Sequence, residues 1–233
     1  MGYMKETDYL MNETEIMYRQ TDIWKIFRYN AFTLSQKNMW NYGGTPFSNN
    51  ASLRWQSMTM NRYEWDVKET FAWNWLDSRL LRGGPDVRFG SYFLTSAKFN
   101  TDKAKRMMFM LKYEGDHNFE GNRFNTISPS LTFRLGNHVY LSGQLDYAWN
   151  TDEMQYVATT SPLSSSSLTP YYYVMGHMDQ KTYGLTLKLQ VNVTPDISIQ
   201  FYGAPFTSIA KYDDFKLAAD TKSHTFENRF QRI

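Results

Sequence analysis

Ionisable and amide side chains recur inside otherwise apolar stretches of this sequence, one residue away from the nearest aliphatic or aromatic side chain. Lys188, Gln190 and Asn192 are interleaved with Leu187, Leu189, Val191 and Val193. A period of two puts the two sets on opposite faces of a β-strand. The same pattern sets Glu64, Asp66 and Lys68 against Trp65 and Val67, and Lys112 and Glu114 against Leu111 and Tyr113. It sets Arg134 against Phe133 and Leu135, and Asp146 against Leu145 and Tyr147. These ten polar residues, from Glu64 to Asn192, are expected to face a wet interior. Two chemistries suit them: a charge-balanced filling of paired side chains, or a selectivity lining for a polar solute.

Other reactive types are less organised. The four histidines (His117, His138, His177 and His224) show no His-x-x-x-His or carboxylate spacing suited to a metal. Solvated or structural imidazoles are expected, with no metal and no cofactor. The run Ser164 to Ser167 lacks a Gly-x-Ser-x-Gly elbow and reads as a loop. Arg79-Leu80-Leu81-Arg82-Gly83-Gly84-Pro85 contains one Arg-Gly-Gly copy. A backbone turn that needs Gly83 and Gly84 is one reading. A clamp in which Arg79 and Arg82 hold an anionic group, beside Pro85, is the other. No catalytic residue is assigned, and no enzymatic activity is expected.

The elements that carry these residues are long. Residues 180–206 alternate for about twelve residues before a Pro195-Asp196 turn and then resume at Ile197, where strands of soluble proteins usually run about five or six. Membrane strands need roughly 9–11 residues, apolar towards lipid and polar towards the lumen. Further strands are expected over residues 9–21, 26–40, 51–60, 63–75, 91–100, 106–115, 125–135 and 139–150. The facing of 26–40 is ambiguous. In 63–75, Trp65, Val67, Phe71, Trp73 and Trp75 share a face with one exception, Glu69. Short turns are expected at Asp22, Asn61, Asp102, Asn137 and Pro195. Longer loops are expected around Gly43 (residues 41–50), Gly83 (76–88), His117 (117–123) and Ser165 (roughly 159–179). A helical period fits none of these segments. Short turns alternating with longer loops is the sidedness of an outer-membrane barrel.

Composition narrows the class. The chain has 233 residues, a formal net charge of +2 and no cysteine, so disulfides, thiolate metal sites and a Cys nucleophile are excluded. The charge gives no argument for nucleic acid. Aromatics make up 17%, with 17 Tyr and 16 Phe, enough to furnish interfacial girdles. A mean hydropathy of -0.58, with no apolar run near 18 residues, excludes a membrane helix but not a barrel. Residues 1–8 lack the apolar core of a signal peptide.

Three stretches carry a family resemblance: residues 79–85, residues 179–182, and residues 194–206 running on to Lys211-Tyr212-Asp213-Asp214-Phe215-Lys216. They resemble the C-terminal barrel region of a Bacteroidota outer-membrane family of unknown function, whose members usually carry an N-terminal β-sandwich similar to family-9 carbohydrate-binding modules. The resemblance implies location and architecture, not a reaction, and this sequence lacks the sandwich.

The expected fold is therefore all-β: one antiparallel up-and-down transmembrane β-barrel domain over residues 1–233, with about ten strands. The sidedness places both ends of the chain on the long-loop side, which predicts a region incomplete at both ends. The expected function is a structural or uptake barrel in the bacterial outer membrane, linked to carbohydrate handling through the absent domain. Its expected partners are outer-membrane lipid and a polar solute or glycan. Two alternatives remain: a soluble β-sandwich that stacks sugars on Trp65, Trp73 and Trp75, and a barrel enzyme with a site at its rim.

Overall fold

The computed structural model describes residues 8–73, 75–136, 138–161, 171–194 and 196–233, with the side chain of Phe47 excepted. Its strands are β1 (Leu10–Gln20), β2 (Phe27–Trp40), β3 (Pro46–Thr59), β4 (Glu64–Ala72), β5 (Trp75–Asp77), β6 (Val87–Phe89) and β7 (Tyr92–Asn100). They continue with β8 (Met107–Asn118), β9 (Arg123–Leu135), β10 (Val139–Thr160), β11 (Tyr172–Thr194), β12 (Ile197–Gly203), β13 (Phe206–Ala218) and β14 (Phe230–Arg232), the last preceded by a 3-10 turn at Glu227–Arg229.

Twelve of these strands form one antiparallel sheet in the order β1-β2-β3-β4-β7-β8-β9-β10-β11-β13-β14, with β12 also on β11. Strands β12 and β13 occupy successive halves of the same edge of β11. Pro205, which has no N–H to donate, lies between them, and its carbonyl still accepts from Leu185 N–H at 3.0 Å. Counted as one interrupted strand, they bring the long strands to ten. Among the described residues β1 pairs only with β2, so the sheet has two free edges and is not a closed barrel.

The inner strands of the sheet differ between their two faces, and the pattern is inverted relative to a soluble core, whereas β1 and β12 are exposed on both faces. Following the register across the sheet, Trp55, Val67, Ala97, Tyr113, Ile127, Tyr147 and Tyr183 lie on a single hydrogen-bonded row of one face. On that apolar face Leu53 is 57% exposed and Leu145 58%. On the polar face Ser52, Thr70, Ser128 and Thr132 are all buried. Cavities that span several strands open on the polar side. The sheet therefore curls with its polar face concave.

Several connections differ from the sequence reading. The expected loop at 41–50 closes at Thr45, because the Asn41 side chain accepts from Thr45 N–H at 2.8 Å. The loop at 117–123 shrinks likewise, with Asn118 Oδ1 accepting from Glu120 and Asn122 N–H. Asn and Asp side chains imitate backbone turns in this way. Two of the four expected long loops are thus tight turns. The stretch at 76–88 is not plain loop, since Trp75–Asp77 and Val87–Phe89 pair as a separate hairpin. Trp75 accordingly leaves the Trp65 face and packs on Phe89 and Tyr92. Of the expected loop over 159–179, the described residues are largely strand, because β10 and β11 stay paired up to Thr160 and Tyr172 through two bulges, and residues 162–170 lie outside the described residues. A register shift between Phe27 and Tyr29 accounts for the ambiguous facing of β2. The expected turn residues Asn137 and Pro195, the Ser164 to Ser167 run and residues 1–7 lie outside the described residues.

At the long-loop end the chain builds a small apolar core of Leu81, Val87, Met154 and Met175. Phe226, Phe230 and Ala218 pack against it, so the C-terminal segment folds back over the hairpin. Arg88 N–H donates to the Thr221 carbonyl at 2.9 Å, and β14 pairs with β13.

Candidate functional site

The ten polar residues predicted to face inward share the concave face. Lys188 pairs with Ser142 and Ser142 with Thr132; Arg134 pairs with Tyr140 and Tyr140 with Gln190. Lys112 is opposite Ser128, and Lys98 joins Lys112 to Asp66. Ser96 links Glu114 to Lys68, and Lys68 is opposite Arg54. Glu64 pairs with Asn100, Asp146 with Gly184, and Asn192 with Ser198.

Most of the acids there are engaged. Arg54 grips Asp66 with both ends of its fork, Nε to Oδ1 at 2.8 Å and Nη2 to Oδ2 at 2.5 Å. Gln56 adds a third donor at 3.2 Å. Planar guanidinium and carboxylate groups match in this bidentate way. Both partners are about a third or more exposed (42% and 32%), so the pair is worth at most ~1 kcal/mol. Lys103 pairs with Glu64, which also accepts from Asn100 Nδ2 at 3.4 Å. Lys112 pairs with Glu114 at 2.7 Å. Asp146 Oδ1 accepts from Ser128 Oγ at 2.6 Å and Gln144 Nε2 at 2.8 Å. Gln190 donates to Asn192 at 3.2 Å, and the Lys188 ammonium lies 5.7 Å from the Tyr202 ring centroid.

Two cavities open along this wall. One, of about 320 Å³, is lined by Lys98, Lys103, Arg134, Ser130, Thr132 and Ser142, among others. The other, of about 390 Å³, includes Arg134, His138, Tyr140, Gln190 and Asn192. Sequence reasoning did not single out Arg54, Lys98 or Lys103. Alternation does put the first two on the polar face; Lys103 sits in a turn, where no periodicity could flag it.

The arginine-glycine loop has a different use. Asp77 Oδ1 accepts from the N–H groups of Arg79 and Leu80, starting a turn that buries Leu81. Arg82 and Gly83 take positive φ values of 49° and 104°. Gly84 packs so closely that a Cβ there would lie 2.6 Å from the Tyr173 ring. The Arg82 guanidinium lies 4.7 Å from the Tyr156 ring centroid, and Pro85 follows as the chain leads into Val87.

A second cluster, which sequence spacing did not reveal, sits at the long-loop end. The β11 bulge brings His177 to Glu153, with Nδ1 2.9 Å from Oε1, and Nε2 lies 3.5 Å from Asp179. Burial works against the charged imidazole, but the two carboxylates outweigh it and raise the His177 pKa. Burial raises the Asp152 carboxyl too, opposed by the Met154 N–H that it accepts at 2.8 Å. Lys216 is buried with its ammonium 5.2 and 5.1 Å from the Phe226 and Phe230 ring centroids and 3.9 Å from Glu153. Rings and carboxylates of this kind compensate a desolvated cation. The other histidines are spread out: His117 is 3.0 Å from Asn125, and His138 is 3.3 Å from the Asn192 carbonyl. The His224 carbonyl accepts from Arg229. Among the described residues no group of three or more His, Cys, Asp or Glu is placed to hold a metal ion.

No curated protein and no solved structure matches this chain. One family does, described as "Domain of unknown function (DUF5916)", over residues 1–231. With a match across nearly its whole length, the chain belongs to that family.

Proposed function

We propose that this chain is the membrane-embedded part of an outer-membrane β-barrel, with a structural role or a role in the uptake of a polar solute. The observation that carries the reading is the stagger of the apolar band. On β3 the exposed apolar stretch ends at Trp55; on β11 it begins at Tyr183, on the same hydrogen-bonded row. The β3 stretch is centred on Leu53, whose row meets β11 at Lys181, while the β11 stretch is centred between Leu187 and Leu189. That displacement is about seven residues, or ~23 Å, across ~29 Å of sheet, which needs a strand tilt of roughly 38° to level the band. Transmembrane barrel strands tilt by about 35–45°. A soluble sheet has no reason to stagger its apolar stretch in this way.

The inverted burial supports the same reading. Side chains such as Leu53, Leu131, Leu145 and Ile199 stand exposed on the convex face, while small hydroxyl residues are buried on the other. In lipid those apolar groups would meet hydrocarbon chains. The spanning segments would include Ala51–Ser57 of β3, Trp65–Phe71 of β4 and Tyr183–Val193 of β11, with the His177 cluster above them. The β-sandwich alternative requires two large sheets packed face to face. The described residues form one large sheet and a two-stranded hairpin instead. Bilayer insertion would also require partners for the edges of β1 and β12–β13, because unpaired backbone groups are costly in hydrocarbon. No helix among the described residues is long and apolar enough to cross a membrane, which does not bear on crossing by strands.

Detergent extraction followed by unheated and boiled electrophoresis tests the proposal. A folded species that needs detergent and changes mobility on boiling is expected. A monodisperse, folded protein in plain buffer would overturn it.

A further inference from the structure

Like charges stand directly opposite one another on the concave wall. Lys98 of β7 pairs in register with Lys112 of β8. Such cross-strand juxtaposition is destabilising unless something compensates it. Lys112 has Glu114, but Lys98 has no ion pair among the described residues. Asp66, its other register neighbour, is already gripped by Arg54 and Gln56. Arg134 and Lys188 also lack a carboxylate partner, and Arg134 spends one N–H on the Lys103 carbonyl at 3.1 Å. The remaining carboxylates nearby are engaged as well: Glu64 by Lys103, and Asp146 by Ser128 and Gln144.

The surplus is therefore positive, and it is concentrated where the wall is hollow. Lys98 and Arg134 both line the 320 Å³ cavity, with Met108 and Met110 of β8 between them and hydroxyl groups from Ser130, Thr132, Ser142 and Tyr140 along its β9–β10 side. Lys188 stands directly opposite Ser142, on the adjoining strand. All three cations are exposed on the concave side, so a bound anion would not have to displace a packed side chain. Hydroxyls that can both donate and accept suit a partner with hydroxyls of its own.

We infer that the wall between β7 and β10 binds a small hydroxylated anion, its phosphate or carboxylate held by Arg134 and its hydroxyls by the Ser130–Thr132–Ser142 surface, with Lys98 adding positive charge from the far end of the same cavity. This rests on the reading of the concave wall as a lumen. Lys188 attracts the same charge from the neighbouring strand. A cationic wall of this kind concentrates anions electrostatically, and the effect weakens as salt screens it.

Calorimetric titration of the folded, full-length chain in non-ionic detergent tests the site, with glucose 6-phosphate, gluconate and glucose as probes. At low salt at least one of the two anions should bind about tenfold or more tighter than glucose, and high salt should erase most of the difference. Which anion binds better distinguishes phosphate from carboxylate. The double variant Lys98→Gln/Arg134→Gln should weaken anion binding about tenfold or more. Lys222→Gln, in the C-terminal segment away from this wall and paired with Asp86, should leave it unchanged. Equal binding of anions and glucose, unaltered binding by the double variant, or no binding by the folded chain would overturn the site. The same samples run unheated and boiled separate the two claims. Anion binding without a mobility shift removes the membrane reading and keeps the site, whereas a mobility shift without anion binding does the reverse.

Discussion

Arg229 and Glu120 meet as a closed bidentate pair, Nη1 to Oε2 at 2.9 Å and Nη2 to Oε1 at 2.7 Å, with Arg229 only 1% exposed. Its remaining N–H groups are also taken, by the carbonyls of Ser223, Arg88 and His224. Glu120 Oε2 accepts in addition from Gly90 N–H at 2.9 Å. All the donors of the guanidinium thus have acceptors, the condition under which a buried charge is tolerated. One side chain ties the C-terminal 3-10 turn to both the β8–β9 turn and the β6–β7 connection.

Breaking this pair from one side should therefore be costly. Arg229→Met leaves Glu120 desolvated, and a loss of about 3–5 kcal/mol in stability is expected. The double variant Arg229→Met/Glu120→Leu should lose clearly less than the two single losses added together. Urea unfolding followed by far-ultraviolet dichroism in detergent measures both. Additive losses would show that the two groups do not act as a pair.

Charge on the two faces should have unequal effects. Leu187 points to the exposed apolar side and Gln190 to the concave polar side. Leu187→Arg should cost roughly 2–4 kcal/mol at a bilayer midplane, and Gln190→Arg much less. The fraction of heat-modifiable protein after refolding into lipid vesicles reports the difference. Equal losses would contradict the assignment of faces.

Two glycines separate crowding from backbone conformation. At Gly84 a Cβ would lie 2.6 Å from the Tyr173 ring and 2.7 Å from Leu81 Cβ. Gly84→Ala should destabilise by about 1–3 kcal/mol, the usual range for overpacking. At Gly136 there is open space but φ is +65°, so Gly136→Ala should cost only about 1–2 kcal/mol, through backbone strain. Pairing each change with Tyr173→Ala resolves the causes. Relief should appear for Gly84→Ala alone.

The long-loop end should be more stable when His177 is protonated. Its pKa is raised in the folded state, where Glu153 and Asp179 outweigh burial. The folded state therefore holds this proton more tightly than the unfolded chain does. Its contribution is complete below the unfolded value of about 6.5 and is lost as pH rises through the folded value. His177→Gln should flatten this part of the pH dependence of unfolding, as read from urea midpoints between acidic and mildly alkaline buffer. An unchanged slope in the variant would remove His177 from the account.

The sequence by itself determined which side chains share a face. A strand has a strict period of two, so Lys188 and Leu187 must separate wherever the chain is extended, and Glu64, Lys112 and Arg134 follow the same rule. It also determined most strand centres, because turn residues such as Asn61-Arg62 and Asp102 interrupt the pattern. It did not determine how far strands run past a bulge. At β10 and β11 the extra residues break the alternation, so Met175 and His177 fell within an expected loop although they pair with Tyr156 and Asp213 and are buried or nearly so. Only the tertiary structure decided the register, and with it the row joining Trp55 to Tyr183 and the juxtaposition of Lys98 with Lys112. Pairing between strands depends on turn geometry and on backbone hydrogen bonds, neither of which leaves a periodic trace in composition. The Arg229–Glu120 pair is the extreme case. The two residues stand 109 positions apart with no repeating pattern around either, so only the return of the C-terminal segment onto the β5–β6 hairpin brings them together.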